Sequence, residues 1–340
     1  MAAGAVLVRP FAGRVMDGGG GRRVVVLVGG VGHVVACLGY FAVSDVGPLL
    51  WIVRVVHGLS EGALFAGLFT LAADIVPAAR RTEGLALFGV SGMLPVALGG
   101  LLGDLVLAQA DYPALFALAS SCALLATAAS FALPETSVRR AADAPPRVGR
   151  GFLAVALQPD LVPIWTVGIA FAGALGAAYA FLKSFVEGEH VGSLGLFYGA
   201  YSAVAIVLRI TLGWVPDRVG PTRVLAPSLV AISLALAALA GASETWHIAA
   251  AGALAGLGHA YVFPSCSSLT VVRSRDEERG TALSLFTAIF DVGMLLAAPL
   301  FGAVVDASSL RTMFVVAACV PVVGGVLFHV LDARRLRQPT

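Results

Sequence analysis

The residues of this 340-residue chain that could do chemistry sit where they are expensive to keep. Within the largely apolar run 49–75, Arg54, His57 and Glu61 stand at positions i, i+3 and i+7. At about 100° per helical residue they fall within about 60° of one another, a narrow polar stripe on an apolar helix. An ionised side chain at the centre of a bilayer costs about 2.5–3.5 kcal/mol on insertion scales, so such a stripe needs a reason. One reason is proton transfer, with Glu61 titrating, Arg54 tuning its proton affinity and His57 offering a second proton site. The other is an intrahelical ion pair that only fixes packing. Asp291, in the middle of the apolar run 281–304 and flanked by Phe290 and Gly293, poses the same choice. It either serves a substrate or proton in a cavity or makes an interhelical hydrogen bond. His259 and Tyr261, in 247–272, either touch a substrate or pack.

Other chemistries lack their residues. There is no H-E-x-x-H, G-x-S-x-G or phosphate-cradling loop, and Gly18-Gly19-Gly20-Gly21 is followed by no Lys-Ser/Thr pair. The expectation is therefore no enzyme, no cofactor and no metal. Cys37, Cys122, Cys266 and Cys319 lie singly inside apolar runs and read as small buried hydrophobes. A net charge of +2 is too small to argue for nucleic acid.

The elements that must position these groups follow from composition. The chain is 59% hydrophobic and 12% charged, against about 25% charged in soluble domains. A spanning helix needs about 20 largely apolar residues. Ten complete candidates are 24–44, 49–75, 85–107, 113–133, 161–183, 194–215, 223–243, 247–272, 281–304 and 311–331, and residues 1–13 read as the end of another.

The spans are duplicated. The loop Gly213-Trp214-Val215-Pro216-Asp217-Arg218-Val219-Gly220-Pro221-Thr222-Arg223 has a twin in residues 13–23, with Gly13, Asp17, Gly20 and Arg23 each 200 positions before their partners. Arg9 falls on Arg209 at the same offset, and Arg81–Phe88 lies over Arg279–Phe286 at 198. Arg9 and Arg209 each extend toward the nearby interface or pair with a neighbouring acid. At this offset the first repeat lacks about fifty residues before Met1. The expectation is a chain without its first helix and part of its second, from a misplaced start codon or a gene fragment.

Lys and Arg are partitioned between alternate loops. Seventeen of the 22, among them Arg22, Arg80, Arg139, Arg140, Arg147, Arg150, Arg275 and Arg334, fall on one side, which the positive-inside rule makes cytoplasmic. That side also holds the C-terminus and the polar connection 134–160, with room for an interfacial helix near 150–157.

With these residues in view, the sequence resembles the major facilitator superfamily. The signature loop G-x-x-x-D-[RK]-x-G-[RK]-[RK] is matched by Gly213, Asp217, Arg218, Gly220 and Arg223, and by Gly13, Asp17, Gly20 and the pair Arg22-Arg23, with Gly18 in place of the basic residue. Arg54, Gly58 and Gly62 resemble the fourth-helix pattern, whose Arg the family associates with proton coupling. Gly89–Gly100 meets the antiporter motif in part. The resemblance implies an all-α membrane fold of two pseudo-twofold bundles, 1–133 and 161–340, joined by the linker 134–160. It also implies rocker-switch alternating access about a central cavity, with the signature residues latching one state.

The functional expectation is a monomeric, multi-pass inner-membrane transporter moving a small organic solute, drug or sugar-like, by proton-coupled efflux. Its partners are the substrate, protons and lipid. The alternatives are an inactive truncated transporter and a non-transporting membrane sensor.

Overall fold

The computed structural model describes residues 2–136 and 150–337. Thirteen linker residues, including Arg139, Arg140 and Arg147, lie outside this description, as do the side chains of residues 2, 96, 97, 100, 101, 104, 336 and 337. Fourteen α-helices account for the described chain: α1 (Ala2–Asp17), α2 (Arg22–Gly39), α3 (Pro48–Ile75), α4 (Arg81–Phe88), α5 (Val90–Gln109), α6 (Tyr112–Ser130) and α7 (Phe152–Ala156) in the first half, then α8 (Val162–Glu189), α9 (Leu194–Leu212), α10 (Val215–Val219), α11 (Pro221–Ala240), α12 (Thr245–Arg273), α13 (Arg279–Ala307) and α14 (Leu310–Arg337). Hydrocarbon cannot hydrogen-bond a peptide group, so long apolar runs close their backbone bonds internally as helix. Polar residues mark the ends. The Asp111 carboxylate accepts from Ala114 N at 3.0 Å, and Ser193 Oγ accepts from Leu196 N at 3.2 Å.

Among the described residues nine helices are long and apolar enough to cross a membrane. Sequence reading expects ten; the tenth, 85–107, takes in most of α5, itself 20 residues long, and includes residues whose side chains lie outside the description. That run is two helices, with Gly89 between α4 and α5. A Cβ at Gly89 would collide with the Arg209 guanidinium, so glycine leaves room there for that side chain. The short interfacial helix expected near 150–157 is α7.

The described residues form two compact units, and each includes a segment from the opposite half of the sequence. One comprises Met1–Ile75, Gly99–Leu157 and Ser274–Asp291; the other comprises Val76–Leu98, Gln158–Arg273 and Val292–Thr340. In the first, Ala12, Met16, Val25, Ala63 and Ala66 make a small-residue core among α1, α2 and α3. A Cβ at Gly62 would stand 2.7 Å from the Ala5 Cα, so α3 meets α1 backbone to backbone. In the second, Gly256 of α12 lies against the Tyr201 carbonyl of α9 in the same manner.

Outward faces are apolar: Val28 is 67% exposed, Leu125 70% and Leu300 62%. A surface of that kind suits lipid as solvent. Two cysteines correct the sequence reading: Cys37 and Cys266 are buried, but Cys122 and Cys319 are exposed.

Candidate functional site

Three helices of the first unit bring ionisable groups together inside apolar surroundings. α1 supplies Arg9, α3 supplies Glu61 and α13 supplies Asp291. Arg9 Nη2 lies 2.6 Å from Asp291 Oδ2, with side chains 5% and 21% exposed. The guanidinium also lies over the Phe65 ring, 5.6 Å from its centroid. Its Nε and Nη1 have no hydrogen-bond partner among the described residues. Glu61 feels the charges of both Asp291 and Arg9. Asp291 is thus not an isolated carboxylate, and Arg9 is buried against an acid rather than extended to the interface.

The other two members of the α3 stripe face different neighbours. His57 Nδ1 is hydrogen-bonded to the Tyr40 hydroxyl at 3.1 Å, and its ring meets His33 of α2 edge-on, centroids 4.6 Å apart. The Arg54 guanidinium lies 6.0 Å from the Tyr40 ring centroid. His33, Cys37 and His57 together could hold a metal ion.

The second unit contains the repeat counterpart of Arg9. Arg209 is 1% exposed and donates through Nη2 to the His259 carbonyl at 3.1 Å. The His259 ring is hydrogen-bonded through Nδ1 to the Tyr201 hydroxyl and meets Phe171 edge-on at 4.9 Å. Tyr179 and Tyr198 stack nearby, centroids 5.4 Å apart. His259 therefore belongs to a buried aromatic cluster headed by Arg209, while Tyr261 is half-buried and stands outside those hydrogen bonds. Sequence reasoning missed Tyr201 and Arg209 as partners of His259. The only signal for Arg209 was its 200-residue offset from Arg9.

The signature loops hold helix ends. The Asp17 carboxylate accepts from the backbone N–H groups of Gly280 and Thr281, at 2.9 and 2.7 Å, in the first turn of α13. The Asp217 carboxylate accepts from those of Thr82 and Glu83, at 3.0 and 2.9 Å, in the first turn of α4. Gly13 lets α1 approach α13, since a Cβ there would be 2.8 Å from the Thr281 Cα. Beside Asp217, Glu83 is gripped by the Arg80 guanidinium, which holds its carboxyl below the usual carboxylate range.

The expected basic members of the latch need correction. Arg22, not Arg23, enters the network, with Nε 3.0 Å from Asp74 Oδ2 and Nη2 3.9 Å from Asp17. Asp74 also takes Arg279 at 3.1 Å. Arg23 donates to the Phe131 carbonyl from an exposed position. The physical cause is loop length. The left-handed glycine preceding α2 is Gly21, at φ 89°, and the one preceding α11 is Gly220, at φ 103°. From Asp17 to Gly21 the first loop is one residue longer than the second from Asp217 to Gly220, which places Arg22 at the first position of α2. In the second loop Arg218 stacks on Trp214, 4.5 Å from the ring centroid, and Arg223 donates to the Val219 carbonyl at 3.4 Å. Gly213 follows the last turn of α9.

Comparison with known proteins decides the family. The model of the Major Facilitator Superfamily matches residues 1–226 and again 188–340. The chain belongs to the major facilitator superfamily. As a member it is a multi-pass membrane transporter, and the family's members are transporters rather than enzymes. An uncharacterized MFS-type transporter of Salmonella typhimurium is 24% identical, covering 96% of this chain and 84% of the relative. A chloramphenicol resistance protein of Pseudomonas aeruginosa is 29% identical, covering 72% of this chain and 57% of the relative. Among solved structures, the human organic anion transporter MFSD10 superimposes with a TM-score of 0.81 at 17% identity, covering 96% of this chain and 82% of that one. At that identity the likeness speaks for the fold.

Proposed function

We propose that the chain exports a small organic solute by proton-coupled alternating access. The observation that carries the coupling is the Arg9–Asp291 ion pair with Glu61 beside it. One guanidinium facing two carboxylates balances a single negative charge, so a proton on Glu61 or Asp291 restores neutrality in an apolar setting. Proton arrival and departure then change which carboxylate Arg9 holds, and Arg9 ties α1 to α13. Arg54 and His57 lie along the same helix as Glu61. His259, within its aromatic cluster, and Tyr261 contact the solute.

Export is favoured because a drug-resistance protein is among the relatives. The two repeat bundles, 1–133 and 161–340, rock as bodies about the linker, and Asp17 and Asp217 latch one state. The protein works as a monomer in the plasma membrane with its basic loops, linker and C-terminus in the cytoplasm.

The test is transport by the full chain in proteoliposomes under an imposed pH gradient, over a panel of organic solutes. Glu61→Gln should abolish gradient-driven flux while leaving expression and solute binding intact. Normal pH-driven flux in that variant removes Glu61 from the mechanism.

A further inference from the structure

We propose that His33, Cys37 and His57 form an exchangeable binding site for a borderline divalent cation of the zinc type. His33 and Cys37 are one helical turn apart on α2 and so share a face, and His57 meets them from α3. One ligand atom from each residue lies within 4.8 Å of the other two. In a tetrahedral zinc site with bonds of about 2.0–2.3 Å, ligand atoms stand roughly 3.3–3.8 Å apart. Side-chain rotations that move these atoms by about 1 Å would close the set.

Two further observations point to a ligand here. His33 Nδ1 is buried without a hydrogen-bond partner among the described residues. An orphaned ring nitrogen is costly unless something coordinates it. The Tyr40 hydroxyl holds His57 Nδ1 at 3.1 Å, leaving Nε2 for an ion. A ligating imidazole almost always has its second nitrogen fixed by an outer partner in this manner.

The donor set selects the ion. One thiolate and two imidazoles suit zinc and its softer neighbours and disfavour magnesium and calcium, which take oxygen. Three protein ligands with a fourth position open is the pattern of exchangeable sites rather than closed structural ones. Access is available, since His33 also lines a groove of about 470 Å³ with Leu64, Leu68, Cys122 and Thr127. An ion held here would clamp α2 to α3 near the Tyr40–Ala42 turn. This site uses none of Arg9, Glu61 and Asp291, so metal binding is measured independently of pH-driven flux.

The experiment uses the purified full chain in nanodiscs, stripped of metal and titrated with Zn²⁺ against a chromophoric chelator and with Co²⁺ as a spectroscopic probe. The expected result is about one equivalent of either ion, with a thiolate-to-cobalt charge-transfer band in the near ultraviolet. Cys37→Ser should remove the band, while Cys122→Ser and Cys319→Ser should keep it. His33→Ala and His57→Ala should each weaken Zn²⁺ at least about tenfold, and Tyr40→Phe by about tenfold or more. Zn²⁺ should also slow alkylation of Cys37 in the unaltered protein, a readout that needs no variant to fold. A band that survives Cys37→Ser, or unprotected alkylation of Cys37, overturns the assignment.

Discussion

The carboxylate of Asp17 takes the backbone N–H of Thr281 at 2.7 Å, and the carboxylate of Asp217 takes that of Glu83 at 2.9 Å. The acceptors are 200 residues apart and the donors 198, so duplication has preserved a hydrogen bond and not only a loop. Each acid comes from one half of the sequence and caps a helix from the other. The first turn of a helix leaves its N–H groups without internal partners and carries the positive end of the dipole, which a carboxylate satisfies on both counts. The latch expected of these acids is thus a helix cap from a distant segment, with arginines in supporting places.

Asp217→Asn keeps one acceptor oxygen and loses the charge. Loss of a side-chain cap costs about 0.5–2 kcal/mol, here drawn from whichever conformational state contains the cap. Turnover in proteoliposomes should change severalfold while the solute dissociation constant, measured calorimetrically, stays within about twofold. A large loss of affinity would place Asp217 in the binding site instead.

Arg22 and Arg23 separate the buried from the exposed member of the signature pair. Arg22→Ala strands Asp74 and Asp17 in a buried setting, where removal of one partner costs about 3–5 kcal/mol. The remaining contact from Arg279 to Asp74 keeps the loss near the lower end. Arg23→Ala removes one exposed bond to a carbonyl and should cost about 1 kcal/mol or less. Thermal unfolding of the two variants in the same detergent tests the order; equal midpoints would return Arg23 to the latch.

Much of the helical layout is legible from hydropathy, because 20-residue apolar runs admit few other conformations in lipid. The approach of the Arg209 side chain to Gly89 was not, since Arg209 arrives from the other half of the sequence. Register within the signature loop was misread for a similar reason: Gly20 and Gly220 align as letters, but the left-handed residue is Gly21. The polar stripe of α3 was visible as Arg54, His57 and Glu61, yet its partners were not. Periodicity reports which residues share a face and is silent on what that face meets, so Arg9 beside Asp291 and Cys37 beside His57 emerge only from packing.

Arg9 and Asp291 lend themselves to a double-mutant comparison. Arg9→Ala alone leaves Asp291 buried and unpaired, and Asp291→Ala alone does the same to Arg9. The double variant Arg9→Ala/Asp291→Ala removes both charges and should be more stable than either single variant, by a coupling of about 1–3 kcal/mol. Both Asp291→Ala and the double variant should lose pH-driven flux. Additive destabilisation, read from unfolding midpoints, would mean that the 2.6 Å contact contributes nothing.

Gly62 tests whether close backbone approach holds the first unit together, and Gly199 of the second unit serves as the control. Both sit in helices, where alanine has the better intrinsic propensity by about 1 kcal/mol. At Gly199 in α9 an added Cβ has nothing within 4 Å, so Gly199→Ala should be neutral or raise the unfolding midpoint. At Gly62 the same atom would lie 2.7 Å from the Ala5 Cα and 2.9 Å from the Ala5 carbonyl oxygen. Backbone cannot rotate aside as a flexible side chain can, so α1 must move away from α3. Overpacking of this kind costs about 1–3 kcal/mol, which outweighs the propensity gain. The displacement also draws Arg9, carried by α1, away from Glu61. Gly62→Ala should therefore lower the unfolding midpoint and reduce pH-driven flux together, whereas a stable Gly62→Ala variant with full flux would show that α1 is not held where Arg9 requires it.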